Sequence, residues 1–290
     1  MTPVPDRVTQ TQGACLYVVA TPIGNLADIS ERAVQILSQV DLIACEDTRH
    51  TQKLLQHLGL RKPMISVHDH NESERIEQVR QHLSEGRSIA LVSDAGTPLI
   101  SDPGYVLVSA LRSDGFTVTP VPGPSALITA LSAAGLPTDR FLYEGFLPHK
   151  AGGRRERLEA VVNETATLVF YESRHRILDT LSIMAEVLGT DRPACVAREL
   201  TKTFESFYTG TLPQLLSQLS EDDNHQKGEF VVMVSGNPEP VRAGSLDTER
   251  LLRLLLDELP PKKAAAVLAE MTGTGKKEWY QQALILQGKA

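Results

Sequence analysis

Short apolar runs alternate with helical periods through the first half of the chain. Leu16-Tyr17-Val18-Val19-Ala20 reads as a buried strand and stops at the turn cluster Thr21-Pro22-Ile23-Gly24-Asn25. Ile29, Ala33, Ile36, Leu37 and Val40 then recur at helical spacing. Leu42 to Cys45, Met64 to Val67, Ile89 to Val92 and Phe116 to Pro120 are four further strand-like runs. Between them lie a short helix from Lys53 to Leu58, one marked by Ile76, Val79 and Leu83, and one marked by Val106, Leu107, Ala110 and Leu111. Apolar strands alternating with amphipathic helices predict an α/β unit whose mostly parallel sheet is covered on both faces.

Val121-Pro122-Gly123-Pro124 interrupts this rhythm, and two prolines around a glycine place a domain junction there. The second half offers strands at Leu168 to Tyr171, Thr203 to Thr209 and Glu229 to Val234; the second of these alternates as an antiparallel strand near a sheet edge does. Three short helices are expected from Leu251 to Leu259, Lys263 to Met271 and Lys276 to Leu286. The expected organisation is a leader over 1–13, an N-terminal α/β domain over 14–121, a C-terminal α/β domain over 122–237, a linker over 238–248 and a helical extension over 249–290.

At 290 residues with 41% apolar and 22% charged positions, the chain can build cores without disulfides or metals. No run approaches the ~20 apolar residues of a membrane span, and the polar first dozen residues hold no signal-peptide stretch. A cytoplasmic protein is expected. Cys15, Cys45 and Cys195 lack metal or disulfide spacing and read as small buried residues. The net charge of −7 argues against a general polyanion binder, so any RNA contact must be local. Lys150, Arg154, Arg155 and Arg157 form one basic stretch, and Lys262-Lys263 with Lys276-Lys277 form another.

The chemistry is expected at strand ends, where open α/β sheets bind ligands. Ser93-Asp94-Ala95-Gly96-Thr97-Pro98-Leu99-Ile100 leaves a buried strand, and its small residues let a ligand approach the backbone; Ser101 or Asp102 is expected to cap the next helix, with Pro103 at its first position. Glu46, Asp47, Arg49 and His50 crowd a second strand end, with Asp47 or Thr48 starting a helix; the loops after the first two strands are expected on neighbouring strands. No GxGxxG follows the first strand. Gly273-Thr274-Gly275-Lys276 lacks the first glycine of a phosphate loop and has Lys277 where Ser or Thr is needed, so it reads as a helix-helix turn. The histidines show no metal spacing, and His68 with His70 reads as a polar loop, so no metal is expected.

Taken in order, YVVATPIGNLADIS, ACEDTRHTQKLL, LVSDAGTPLISDPG, VPGPSALITALSAAGLP, FYESRHRI, RELTKTFE and GEFVVMVSG resemble the bacterial 16S rRNA (cytidine-2′-O)-methyltransferase family of the tetrapyrrole-methylase superfamily, over about residues 14–236. The resemblance implies two α/β domains with a cleft for S-adenosylmethionine between them, a C-terminal helical extension and a homodimer. The partner implied is 16S rRNA or the small ribosomal subunit, methylated on the ribose of a cytidine near the decoding centre. The first loop, Thr21 to Leu26, lacks the GxGPGD pattern of corrin and porphyrin methylases and favours the RNA branch. The implied cofactor residues are Asp94, Ala95, Gly96, Thr97, Pro98 and Ile100, then Pro122, Ser125 and Ala126, with Tyr171 and Met233. Candidates for a general base are Glu46, Asp47, His50 and Glu199, and Arg49, Arg198 and Lys202 are further candidates for RNA contact. Methylation of a small tetrapyrrole-like substrate, or an RNA-binding module that holds the cofactor and transfers nothing, are the alternatives.

Overall fold

Five strands, β1 (Cys15–Val19), β2 (Leu42–Cys45), β3 (Met64–Ser66), β4 (Ile89–Val92) and β5 (Thr117–Val121), form a wholly parallel sheet in the order β3-β2-β4-β1-β5. The computed structural model describes residues 13–68, 71–239 and 248–287. The expected leader, apart from Gly13, and the interior of the expected linker lie outside the described residues, as does His70. Successive side chains of a strand point to opposite faces, and here both faces are apolar and both are covered. Tyr17, Ile43, Cys45 and Ala90 pack under α1 (Glu31–Gln39) and α2 (Thr48–His57), while Leu16, Leu42, Ala44 and Leu91 pack under α3 (Glu72–Ser84) and α4 (Tyr105–Ser113).

Two local expectations are corrected. β1 and β2 are not neighbours, because β4 runs between them; all three are parallel, so the loops after them still open on one edge. Neither Ser101 nor Asp102 caps α4, and Pro103 precedes it: the cap is Gly104 at φ 127°, where a Cβ would come 3.0 Å from Leu91 Cδ2. The cap's missing side chain is replaced from a distance. Buried Glu72 of α3 accepts a 2.7 Å hydrogen bond from the Leu107 amide in the first turn of α4. Asp47 does cap α2, accepting from the Arg49 amide.

The second half begins with α5 (Ala126–Ala133) and builds a mixed sheet from β6 (Phe141–Phe146), β7 (Thr167–Ser173), β8 (Pro193–Arg198), β9 (Ser206–Thr211) and β10 (Glu229–Val234), in the order β6-β7-β10-β8-β9. β6 and β7 are parallel and the other pairs antiparallel, with β9 at the edge as its alternation predicts. The sequence reading had not singled out β6, interrupted by Glu144 and Gly145, or β8, which opens on a proline. One face packs against α6 (Ala151–Ala160), α7 (Ile177–Leu188) and α8 (Leu212–Ser220), the other against α5.

The described residues up to Pro238 form one compact unit and those beyond it a second. In the second, α9 (Thr248–Glu258), α10 (Pro261–Thr272) and α11 (Lys276–Leu286) enclose Leu252, Ala264, Leu268 and Ala283. Gly273, left-handed at φ 68°, ends α10, and the turn to α11 is the helix-helix connection expected there. Cys15, Cys45 and Cys195 are free and buried, and burial pushes the Cys195 thiol up to about 11. Among the described residues no helix is long and apolar enough to cross a membrane.

Candidate active site

The loop after β4 is pinned by backbone strain and by bonds to three other segments. Leu99 and Ser101 adopt left-handed φ values of 73° and 66°, unusual for side-chain-bearing residues and a mark of functional loops. Gly96, at φ 85°, exchanges two backbone hydrogen bonds with Thr21 in the loop after β1, of 2.8 and 3.0 Å. Thr97 Oγ1 donates to the Pro124 carbonyl at 3.0 Å. Ser101 Oγ lies 2.6 Å from the Tyr143 hydroxyl on β6, and the Leu127 amide at the start of α5 donates to the Tyr171 hydroxyl at 3.0 Å. The two tyrosine rings meet edge to face at 5.1 Å, and burial raises both phenol pKa values above the usual range, keeping these hydroxyls neutral.

These contacts enclose a cavity of about 610 Å³ between the two sheets. Ala95, Gly96, Thr97 and Ile100 line one side, Ser125 and Ala126 the start of α5, and Tyr171 with the residues from Glu172 to His175 another wall. Of the cofactor residues expected from sequence, Ala95, Gly96, Thr97, Ile100, Ser125, Ala126 and Tyr171 therefore come together. Asp94, Pro98 and Pro122 are not among the lining residues. Met233 is fully buried in the layer between the second sheet and α5, so it is sheet core and not a cavity wall.

The candidate bases separate into two places. Glu199 lines the cavity; Glu46, Asp47 and His50 do not. His50 Nδ1 lies 3.2 Å from Asp94 Oδ2, and the Asp47 amide donates to Asp94 Oδ1 at 3.1 Å. The ligand atoms of Asp47, His50 and Asp94 fall within 4.8 Å of one another. Hydrogen bonds from the Arg49 side chain and amide hold the Asp47 carboxyl far below the usual carboxylate range.

Glu199 sits at φ 51° after β8, and Thr201 at 64°. Its Oε1 accepts from Lys202 Nζ at 2.9 Å and from the Glu229 amide at 3.0 Å. Lys202 also reaches Glu229 Oε2 at 2.9 Å. Burial disfavours the Glu199 charge, but the Lys202 and Glu229 hydrogen bonds outweigh it and hold the carboxyl below its ordinary range. Two glycines make the arrangement possible. A Cβ on Gly228 would sit 2.5 Å from the Glu199 carboxyl carbon, and one on Gly24 would sit 2.5 Å from Lys202 Cγ.

The basic residues expected to meet RNA are mostly engaged. Arg154 is buried at 4% exposure with Nη1 donating to the His149 carbonyl at 2.8 Å, and Arg198 at 8% donates to the carbonyls of Lys227 and Phe204. Both are structural props, which corrects their assignment to RNA contact: on α6 and β8 their helical and strand phases point them inward. Arg155 pairs with Glu186, Arg157 with Glu144 and Arg49 with Asp47, while Lys150 is exposed. Sequence reasoning missed Ser101, Asp102, Phe146, Glu172, Ser173, Arg174 and His175 as lining residues. Arg174 and His175 stood inside the FYESRHRI segment, and a charged pair directly after a strand was the signal available.

Residues 15–216 match the family described as Tetrapyrrole (Corrin/Porphyrin) Methylases, and residues 242–287 match the RsmI C-terminal HTH domain. The chain is 54% identical to Ribosomal RNA small subunit methyltransferase I of Escherichia coli O157:H7, covering 94% of this chain and 96% of that protein. It is likewise 54% identical to the protein of that name from Pseudomonas aeruginosa, over 95% of this chain and 98% of that one. Among solved structures, uroporphyrin-III-C-methyltransferase from Thermus thermophilus shares the fold at TM-score 0.55 and 19% identity, covering 77% of this chain and 94% of that one. A cobalt precorrin-4 methyltransferase does so at TM-score 0.55 and 15% identity, covering 77% and 95%. The chain belongs to the tetrapyrrole (corrin/porphyrin) methylase family, among the proteins named ribosomal RNA small subunit methyltransferase I.

Proposed function

We propose that this protein transfers the methyl group of S-adenosylmethionine to the ribose 2′-hydroxyl of a cytidine in 16S rRNA near the decoding centre, as a cytoplasmic homodimer. The single observation that carries the reading is the cavity that residues 14–121 and 122–237 build together, with a small-residue loop on one wall and the Glu199–Lys202 pair on another. Its volume of about 610 Å³ suits a cofactor of drug-like size. The names of the relatives support small-subunit rRNA as the substrate.

The cofactor fits the residues present. Gly96 brings bare backbone to the cavity, Thr97 and Ser125 offer polar groups, and Ile23, Ala95, Ile100 and Ala126 supply apolar surface. Ala95, Gly96, Thr97, Ile100, Ser125, Ala126 and Tyr171 would hold it. When bound, it supplies an electrophilic methyl group on a sulfonium, so the protein needs chiefly to align an oxygen with that group. Such positioning contributes up to ~7–11 kcal/mol. Glu199 is the base candidate in the right place. The Lys202 and Glu229 hydrogen bonds both fall on Oε1, and Oε2 is the oxygen assigned to accept the proton of the ribose hydroxyl. Lys202 fixes that carboxylate and compensates the negative charge of Glu199 and Glu229.

The test uses small subunits from cells lacking the protein and radiolabelled cofactor. A ribose methyl blocks alkaline cleavage at its own linkage, so the ladder of the modified 16S rRNA is expected to show one gap beside a cytidine. Full methyl incorporation with an unbroken ladder would place the methyl on a base and refute the ribose assignment.

A further inference from the structure

The cavity rim carries an aromatic side chain and a cation that none of the roles above uses. We propose that Phe146 and Arg174 form a nucleotide clamp: the Phe146 ring stacks on the nucleobase of the nucleotide being methylated, and the Arg174 guanidinium holds a flanking phosphate. The proposal rests on the RNA reading given above.

Phe146 lines the cavity and is 55% exposed, so one face of its ring is open to a ligand. Its position is built rather than incidental. The register of β6 against β7 shifts between Tyr143 and Gly145, and Gly145 is left-handed at φ 67°. Such bulges re-aim the following side chain and concentrate near active sites. The segment after Phe146 is then gripped by two guanidiniums. Arg154 donates to the His149 carbonyl at 2.8 Å, and Arg176 donates to the Leu147 carbonyl at 3.1 Å while pairing with buried Glu172 at 2.7 Å. The ring meets Tyr171 at 5.6 Å and 68°, an edge contact, and among the described residues no ring lies parallel to it. A rigid aromatic loses little freedom on binding.

Arg174 follows β7, the neighbour of β6, with Phe146 paired to Tyr171 in the register, so both side chains leave the same end of adjacent strands. Arg174 is exposed, lines the cavity and shares a 3.1 Å hydrogen bond with His175 Nε2. Arg49, Arg155, Arg157 and Arg176 each face a carboxylate, and Lys202 faces two; no carboxylate pairs with Arg174 among the described residues. Its planar fork is therefore available to a phosphate. The chemistry calls for both parts. Sequence-specific recognition of RNA takes hold of unstacked nucleotides, and an aromatic face replaces the stacking that such a nucleotide has lost.

The experiment compares Phe146→Leu, Phe146→Trp and Arg174→Ala with the full-length protein, on small subunits from cells lacking it. Phe146→Leu, which keeps apolar bulk but has no π face, is expected to lower kcat/KM for the subunit by about 5- to 150-fold, and Phe146→Trp to preserve it. Both leave S-adenosylmethionine affinity unchanged by calorimetry. Arg174→Ala is expected to reduce the salt slope of RNA binding by about one unit. A loss of cofactor affinity in Phe146→Leu would show that the ring serves the donor, and unchanged kcat/KM would leave it a bare surface residue; either overturns the stacking role. An unaltered salt slope overturns the phosphate contact. The alkaline ladder on wild-type product reports the methylated atom separately: an unbroken ladder removes the ribose reading while the clamp is still judged by its variants.

Discussion

Replacing Gly96 by valine tests the cofactor wall, and the structure supplies the magnitudes. Gly96 holds φ 85° and exchanges two backbone bonds with Thr21, so the backbone cannot relax without breaking the link between the loops after β1 and β4. A Cβ there would lie 3.4 Å from Ile23 Cγ2 and 3.9 Å from the Pro124 carbonyl oxygen, ordinary contact distances. Alanine therefore isolates the backbone cost, about 1–2 kcal/mol for an L-residue in the left-handed region. For a unit of this size that corresponds to a melting temperature lower by roughly 2–8 °C. Valine adds β-branching and two methyl groups at a position bordering the cavity. Its strain of about 1–3 kcal/mol is small against the ~5–15 kcal/mol stability of a folded domain. The expected outcome is a folded Gly96→Val protein whose S-adenosylmethionine affinity falls more than about tenfold, ~1.4 kcal/mol, with Gly96→Ala between it and wild type. Calorimetry reads the affinity, and circular dichroism with thermal melting confirms the fold. A folded valine variant that binds the cofactor as wild type does would refute the assignment of this loop.

Glu199→Gln is expected to lower kcat by ~10²–10⁴-fold with cofactor affinity preserved, measured in single-turnover methyl transfer; an unchanged rate would remove Glu199 as the proton acceptor. Because the Glu199 carboxyl titrates below the ordinary range, the acid limb of the wild-type rate profile should lie below that range, and the stability this carboxylate contributes should be present above it and lost as pH falls through it. Glu72→Ala leaves the Leu107 amide of α4 unbonded and is expected to cost about 1–3 kcal/mol in urea unfolding, whereas a neutral result would refute capping from a distance. Deleting residues 245–290 should spare cofactor binding, because the larger unit has its own cores, and should lower activity on the ribosomal substrate; full activity after truncation would assign the helical tail another task.

The alternation of apolar runs and helical periods was enough to place the strands of the first sheet, and the reason is physical. β2 and β4 are buried on both faces, so every position must be apolar, and a short unbroken run of that kind is visible in one dimension. The ordered loop segments likewise sufficed for the family, since each is a strand end whose small or ionisable residues are adjacent in sequence. Cysteine burial, the Asp47 cap and the turn at Gly273 were legible for the same reason: each depends on neighbours a few residues away.

What the sequence left open was decided by long-range packing. Whether a guanidinium meets solvent or a backbone carbonyl depends on the phase of its helix or strand against the core, so Arg154 and Arg198 looked like surface cations and are buried props. Met233 is apolar whether it lines a cavity or fills a sheet, and only the layer between β10 and α5 distinguishes the two. The four base candidates were equal as residue types; the separation of the loop after β2 from the loop after β8 leaves Glu199 alone at the cavity. The first turn of α4 is bonded by Glu72, 35 residues before Leu107, and Phe146 follows a bulge in β6 at the cavity rim. Local pattern determines which elements form, because hydrogen bonding and side-chain phase are local; which side chains share a cavity is set by strand order and register, and those exist only in the folded molecule.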